Sequence, residues 1–341
     1  MFKAKVEKHT FIFKQASGTS RGILTEKDSW IISLWDSENP EIIGKGEASI
    51  IKTLSPEWSD HYESFLSNCA ENIHEIIEKD LMDLKKYPSI YFAVEMALND
   101  LKNGGKGIYY PSDFTEKEIG IDINGLIWMG SEDFMLKQIS QKIEDGFHCI
   151  KMKIGAIDFQ TEIEILKSIR RKYSAREIEL RVDANGAFQP NEAMSKLDIL
   201  ATLDLHSIEQ PIAAGQYDEM KALCAHTPIP IALDEELIGL HGAKEKQHLL
   251  EYIQPQYIIL KPSLIGGFKG SDEWIAAAEA SNIKWWITSA LEGNIGLDAI
   301  AQYTYTKENP LPQGLGTGQL FTNNFESPLY IKAGKLFRNL A

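Results

Sequence analysis

The chain has 341 residues, 43% of them hydrophobic and 25% charged, which suits a large α/β barrel with an addition, or two domains, and excludes a disordered tail or a fibre. Its 49 acidic and 35 basic residues leave a net charge of −14 with no basic block, which argues against nucleic acid or an anionic membrane surface and for work on a small molecule. No apolar run of membrane-spanning length occurs and "MFKAKVEKHTFIF" lacks the apolar segment of a signal peptide, so the expected location is the cytoplasm.

Residues 3–50 read as a strand meander, "KVEKHTFIFKQ", "GILTEKDSWIISLWD" and "IIGKGEASI", separated by turn-prone "ASGTSRG" and "DSENPE". Glycine and serine around Gly18 to Arg21 suggest a loop able to close over a substrate. Helical patterns follow at about 57–80 and 87–103, the second stopped by Gly104 and Gly105. Strands followed by helices point to an α+β domain. Cys69, Cys149 and Cys224 are widely spaced and odd in number, as reduced, buried thiols would be.

From about residue 121 short apolar strands alternate with amphipathic helices: "IDINGLI", "CIKMKIG", "IELRVDAN", "LHSIEQP", "IPIALDEE", "YIILKPS", "IKWWITSA" and "LPQGLGTG". Eight such units predict a (β/α)8 barrel. A doubly wound open sheet would set a glycine-rich phosphate turn after its first strand, and "DINGLIWMGSED" matches that poorly. The tail "SPLYIKAGKLF" is expected to return to the first domain as an edge strand. The expected division is a capping domain of residues 1–115 joined by the tail 322–341, and a barrel of residues 116–321.

The charge within these strands carries the chemistry. Lys153, Asp183, Glu209, Asp234 and Lys261 each end an apolar run, at separations of 30, 26, 25 and 27 residues, about one βα unit. They should therefore ring the C-terminal mouth of the barrel, where active sites of this fold lie. Strand alternation in "LRVDAN" puts Arg181, Asp183 and Asn185 on one face and Leu180, Val182 and Ala184 on the other. In "IALDEE" it sets Asp234 opposite in sense to Leu233 and Glu235. Three converging carboxylates stay ionised together only beside a cation. An all-oxygen donor set favours a hard divalent ion, Mg²⁺ first and Mn²⁺ second. Lys151 and Lys153 share one strand face, and with Lys261 they would flank that ion. Its charge and the neighbouring ammonium groups should lower a lysine pKa toward the working range of a general base. Together these groups could remove a proton alpha to a carboxylate and stabilise the enediolate. Trp285 and Trp286 read as core. His148 and His206 lie at strand starts and take no catalytic role.

The segments "KMK", "VDAN", "EQP", "LDEE" and "LKPSLIGG", in this order and spacing, resemble the enolase superfamily and its muconate-lactonising subgroup over essentially the whole chain. The resemblance implies a modified barrel with an α+β cap. It also implies Mg²⁺ held by Asp183, Glu209 and Asp234, Lys153 as acid/base and Lys261 facing it. Lys151 would assist electrostatically and Asn185 would support the metal or the substrate carboxylate. Within the subgroup the pattern is most similar to the o-succinylbenzoate synthases of menaquinone synthesis. Their reaction is a syn dehydration of a succinyl-hydroxycyclohexadiene carboxylate, in which Ser289 and Gly316 would meet the succinyl carboxylate. Dipeptide or N-acylamino acid epimerases, using Lys153 and Lys261 as opposed bases, are the alternative. They usually carry Asp-x-Asp on the eighth strand, where this chain reads Gly316-Thr317-Gly318. Nothing in the sequence sets an oligomeric state.

Overall fold

The computed structural model describes residues 1–19 and 22–340, with side chains described outside residues 16–22. Three long strands come first: β1 (Phe2–Thr19), β2 (Gly22–Asp36) and β3 (Asn39–Ser49). They pair antiparallel in that order, with a register shift in β1 between Ile12 and Ser17. Ser20 and Arg21 of the expected closing loop lie outside the described residues. Four helices follow, α1 (Tyr62–Glu71), α2 (Ile73–Glu78), α3 (Pro88–Lys102) and α4 (Asp113–Glu116). The expected helix over 57–80 is thus two, parted at Asn72. β3 carries glycine where α3 crosses it: a Cβ on Gly46 would stand 1.8 Å from the Ala93 carbonyl oxygen, so only a bare backbone permits the contact. Trp30, Ile32, Leu34, Tyr62, Leu66 and Val94 fill the core between sheet and helices.

The second half alternates strand and helix: β4 (Ile121–Asp122), β5 (Gly125–Ile127), α5 (Glu132–Glu144), β6 (Cys149–Lys153), α6 (Phe159–Arg170), β7 (Glu179–Asp183), α7 (Pro190–Ala201), β8 (Ser207–Glu209), α8 (Tyr217–His226), β9 (Ile231–Leu233), α9 (Ala243–Ile253), β10 (Tyr257–Leu260), α10 (Pro262–Ile265), α11 (Gly267–Ala280), β11 (Lys284–Ile287) and α12 (Asn294–Tyr305). Local signals start these helices: Asp158 accepts the Thr161 amide at 2.9 Å to cap α6, and Pro190 opens α7.

Strands β5 to β11 form one parallel sheet in chain order. Residues 313–314 close it into a barrel through parallel bridges from Gln313 to Ile123 and from Gly314 to Thr288. Outward residues such as Ile150, Leu180, Val182 and Ile208 join the core under the helices. Inside, Ala232, Tyr257, Ile259 and Trp286 make a separate apolar layer, and the Arg181 guanidinium lies 4.3 Å from the Trp286 ring centre. Both tryptophans of β11 are buried, as read from sequence.

The tail differs from expectation. β12 (Leu329–Lys332) and β13 (Lys335–Arg338) form a hairpin whose second strand pairs with β4, at the barrel's entry, and not with the three-stranded sheet. Contact with that sheet comes earlier in the tail, through the antiparallel bridge Phe13–Phe321 and the His9 ring nitrogen at 2.9 Å from the Asn323 carbonyl.

Two carboxylates from the first half cap helices of the second. Glu95 of α3 accepts the amides of Phe268 at 2.6 Å and Lys269 at 3.0 Å in the first turn of α11. Glu47 of β3 accepts those of Gly293 at 2.7 Å and Gly296 at 2.9 Å at the start of α12. Both satisfy donors that a helix N-terminus leaves open. Burial pushes the Glu95 carboxyl up to about 7 although the two amides hold it down. The folded protein therefore keeps a proton here that the unfolded chain loses, and this group's stabilisation falls as pH rises between about 4.5 and 7. In Glu95→Gln that dependence should vanish, shifting urea stability between pH 5 and pH 8 by on the order of 3 kcal/mol in favour of the variant.

Candidate active site

Strand register sets the site. β6 pairs with β7 so that Lys151 stands beside Arg181 and Lys153 beside Asp183, and β7 pairs with β8 so that Asp183 stands beside Glu209. Asp234 and Lys261 follow directly on β9 and β10. All five period-spaced residues, with Lys151, thus gather at the C-terminal mouth, and Asp183, Glu209 and Asp234 are at most 2% exposed.

Their arrangement is a chain of alternating charge. The Lys153 ammonium donates to Asp183 at 2.9 Å and to the Asn185 side-chain oxygen at 2.7 Å. Lys151 pairs with Asp183 at 3.1 Å and donates to Glu209 in a short hydrogen bond. Lys261 lies 3.6 Å from the other Glu209 oxygen and 2.5 Å from Asp234. Asp183 also accepts the Asn185 amide at 3.0 Å.

Among the described residues no three His, Cys, Asp or Glu side chains converge closely enough to hold a metal ion as they stand. For the expected trio the cause is visible, because Lys151 separates Asp183 from Glu209 and Lys261 separates Glu209 from Asp234. Burial pulls Lys151 and Lys261 down, but Asp183 and Glu209 outweigh it at Lys151, and Asp234 and Glu209 at Lys261, so both are raised. Among the acids, burial and the Asp183 charge push Glu209 up to about 6, while Lys151 and Lys153 overcome burial to hold Asp183 well below the usual range. The donor set still fits a hard divalent ion: three buried carboxylates on adjacent strand ends, with one Glu209 oxygen finding no hydrogen-bond partner among the described residues.

Above this chain lies a cavity of about 210 Å³. Lys151, Lys153, Lys261, Asp183 and Asn185 line it, while Glu209 and Asp234 do not. Asn124, Thr288, Ser289, Gly314, Gly316 and Thr317 line it too. Leu126 and Trp128 add barrel surface, and Ile23, Leu24, Ile51, Thr53 and Leu54 reach in from the first half of the chain. A Cβ on Gly314 would meet Thr288 Oγ1 at 2.4 Å, so the glycine leaves that hydroxyl its place.

Ser289 and Gly316 both reach the cavity, but Ser289 is already engaged. Its amide donates to the Gly314 carbonyl at 3.0 Å, and its hydroxyl donates to Glu292 at 2.6 Å while accepting from Thr317 at 2.8 Å. The neighbouring Thr288 Oγ1 and the Asn124 side-chain oxygen are buried and find no hydrogen-bond partner among the described residues. Sequence reading missed both, along with Glu235 and Gln210. Glu235 enters the cavity because β9 ends at Leu233 and a 3-10 turn over Glu235–Leu237 breaks the alternation that set it on the other face. Gln210, fully buried, accepts the Asp234 amide at 3.1 Å and so fixes the end of β9. Its place after Glu209 in "EQP" was the available signal.

The family described as "Enolase C-terminal domain-like" matches residues 135–337. A relative from Desulfotalea psychrophila, named o-succinylbenzoate synthase, is 45% identical over 95% of this chain and 96% of its own. The chain belongs to the enolase superfamily. Among solved enolase-superfamily relatives, MenC from Desulfotalea psychrophila superposes with a TM-score of 0.86 at 41% identity, covering 98% of this chain and 99% of that one. A dipeptide epimerase from Enterococcus faecalis, complexed with Mg and the dipeptide L-Leu-L-Tyr, reaches 0.84 at 20% identity, covering 99% and 96%. No helix among the described residues is long and apolar enough to cross a membrane.

The alternating chain predicts a stability effect. Lys151→Met leaves Asp183 and Glu209 short of a counter-charge and should cost about 3–5 kcal/mol in urea denaturation. Adding Asp183→Asn should recover part of that loss, because the uncompensated charge goes with it.

Proposed function

We propose that this protein is a carbon–oxygen lyase that dehydrates 2-succinyl-6-hydroxy-2,4-cyclohexadiene-1-carboxylate to o-succinylbenzoate, a step of menaquinone synthesis, with a divalent cation. The near full-length likeness, at 45% identity, to a protein named o-succinylbenzoate synthase carries this reading. The epimerase compared above stands at 20%. Gly316-Thr317-Gly318 also carries no acid where the epimerases usually have Asp-x-Asp to grip an ammonium group, which suits an anionic substrate. In this reading residues 1–115 with the tail serve as the cap and residues 116–321 as the catalytic barrel.

Asp183, Glu209 and Asp234 would hold the cation, Mg²⁺ in preference to Mn²⁺. When bound it would offset the charge that gathers on the substrate carboxylate as the alpha proton leaves. Lys153, as the free amine, takes that proton, and the C–H electron pair moves into the enediolate. The same ammonium returns the proton to the departing hydroxyl on the same face, so water leaves, the ring becomes aromatic and Lys153 is regenerated. Lys261 follows the strand four places round the barrel from that of Lys153, so the two amines approach from opposite walls. The Lys261 ammonium lies against the face away from the proton transfer and stabilises the enediolate as a cation. Lys151 and Asn185 hold Asp183 and Lys153 in place, and Thr288, with Asn124, offers polar atoms to the succinyl arm.

Purified protein with Mg²⁺ should convert the cyclohexadiene to the aromatic product, followed by ultraviolet absorbance. Lys153→Ala should lower kcat by about 10²–10⁴-fold, and chelation should abolish turnover. Absence of Mg²⁺-dependent product would end the proposal, and deuterium uptake at the alpha carbon of an N-acylamino acid in its stead would favour an epimerase. Thr288→Val, which removes one unsatisfied hydroxyl from the cavity wall, should raise KM by about 10-fold with kcat nearly unchanged.

A further inference from the structure

Glu292 stands between β11 and α12, fully buried and outside the cavity. One carboxylate oxygen accepts the Ser263 hydroxyl at 2.5 Å, and the other accepts the Ser289 hydroxyl at 2.6 Å and the Ala290 amide at 2.8 Å. Ser263 lies in the first turn of α10, the helix that Lys261 caps. Ser289 belongs to the cavity wall and is bonded to Thr317. One side chain thus ties the turn carrying Lys261 to the segment that follows the neighbouring strand, β11.

The next residue joins the pair to the first half of the chain. The Gly293 amide donates to Glu47, which accepts the Ser29 hydroxyl at 3.0 Å, and Ser29 in turn accepts from the buried Lys27 ammonium at 2.9 Å. A fully buried carboxylate with hydroxyl and amide donors is a costly way to fill space, and an apolar side chain would serve packing better. What an apolar side chain cannot do is fix two loops against each other by direction-specific bonds.

We propose that Glu292 is a positioning residue, which holds the Lys261 turn and the Ser289–Thr317 wall in one arrangement and, through Gly293 and Glu47, makes that arrangement depend on the seating of the three-stranded sheet. Only the kinetic arm of its test rests on the function proposed above.

The test is hydrogen exchange by mass spectrometry on the full-length protein, with turnover of the cyclohexadiene in Mg²⁺ measured alongside. In Glu292→Ala, exchange should accelerate at least about tenfold in peptides spanning residues 261–266 and 288–293, with other barrel peptides unchanged. Glu47→Ala should loosen the same two peptides. kcat of Glu292→Ala should fall about 100-fold, and Glu292→Gln, which keeps an acceptor for Ser289 and Ala290, should recover most of it. Ser263→Ala should lower kcat alone and Ser289→Ala should raise KM alone, and these two variants carry the test if Glu292→Ala does not fold. Wild-type exchange in both peptides, or acceleration spread evenly over the barrel, would overturn the proposal. So would loosened peptides with unchanged kcat. If the wild type makes no o-succinylbenzoate, the functional reading fails and the exchange pattern alone judges Glu292.

Discussion

Six buried charged groups at the strand ends, alternating in sign from Lys153 through Asp183, Lys151, Glu209 and Lys261 to Asp234, govern the rest of the structure. Ions this deep are tolerable only while each keeps its neighbours, because desolvation rivals or exceeds the attraction of any single pair. Such a chain needs fixed spacing. The parallel register supplies it by setting Lys153 beside Asp183 and Asp183 beside Glu209, while Gln210 anchors the backbone of Asp234. A divalent ion held by Asp183, Glu209 and Asp234 would compete with the ammonium groups for these oxygens. Seating the ion and freeing a lysine to face a substrate would therefore be one exchange of partners rather than two separate events.

The barrel divides its labour around the ring. Charge sits on the strands from β6 to β10, whereas the stretch from β11 through residues 313–314 to β5 offers glycine, hydroxyls and an amide. Gly314 has no side chain where Thr288 needs room, and Gly316 leaves the cavity open beside Asn124. A small molecule in this cavity would meet charged groups that can react and neutral groups that can recognise it. The apolar side chains Ile51 and Leu54 add lining from the first half of the chain.

The strand-end charges were legible in the sequence because one βα unit brings the chain back to the same face at a nearly constant interval, so a chemical period survives in one dimension. The cap's strands and second long helix were legible too, from alternation and from the stop at Gly104. What stayed hidden depends on contacts between distant segments. Glu235 reaches the cavity only because β9 stops early and turns. Thr288 and Asn124 stand out because their side-chain oxygens find no partner among the described residues, a fact no local pattern encodes. The tail hairpin pairs with β4 because a short edge at the barrel's entry was free to receive it, which composition could not say. Against the pull of burial, the Lys151 and Lys261 pKa values are raised because carboxylates are their nearest neighbours.

Glu47 and Glu95 close the first turns of two barrel helices from outside the barrel's own sequence. An excised barrel would hand those amide groups to water and lose two charged caps at the starts of α11 and α12. Exchanging the N-terminal segment for that of a relative would therefore transplant helix caps together with the cavity lining from Ile51 and Leu54, and a chimera that lost either acid would give up about 0.5–2 kcal/mol at the start of α11 or α12.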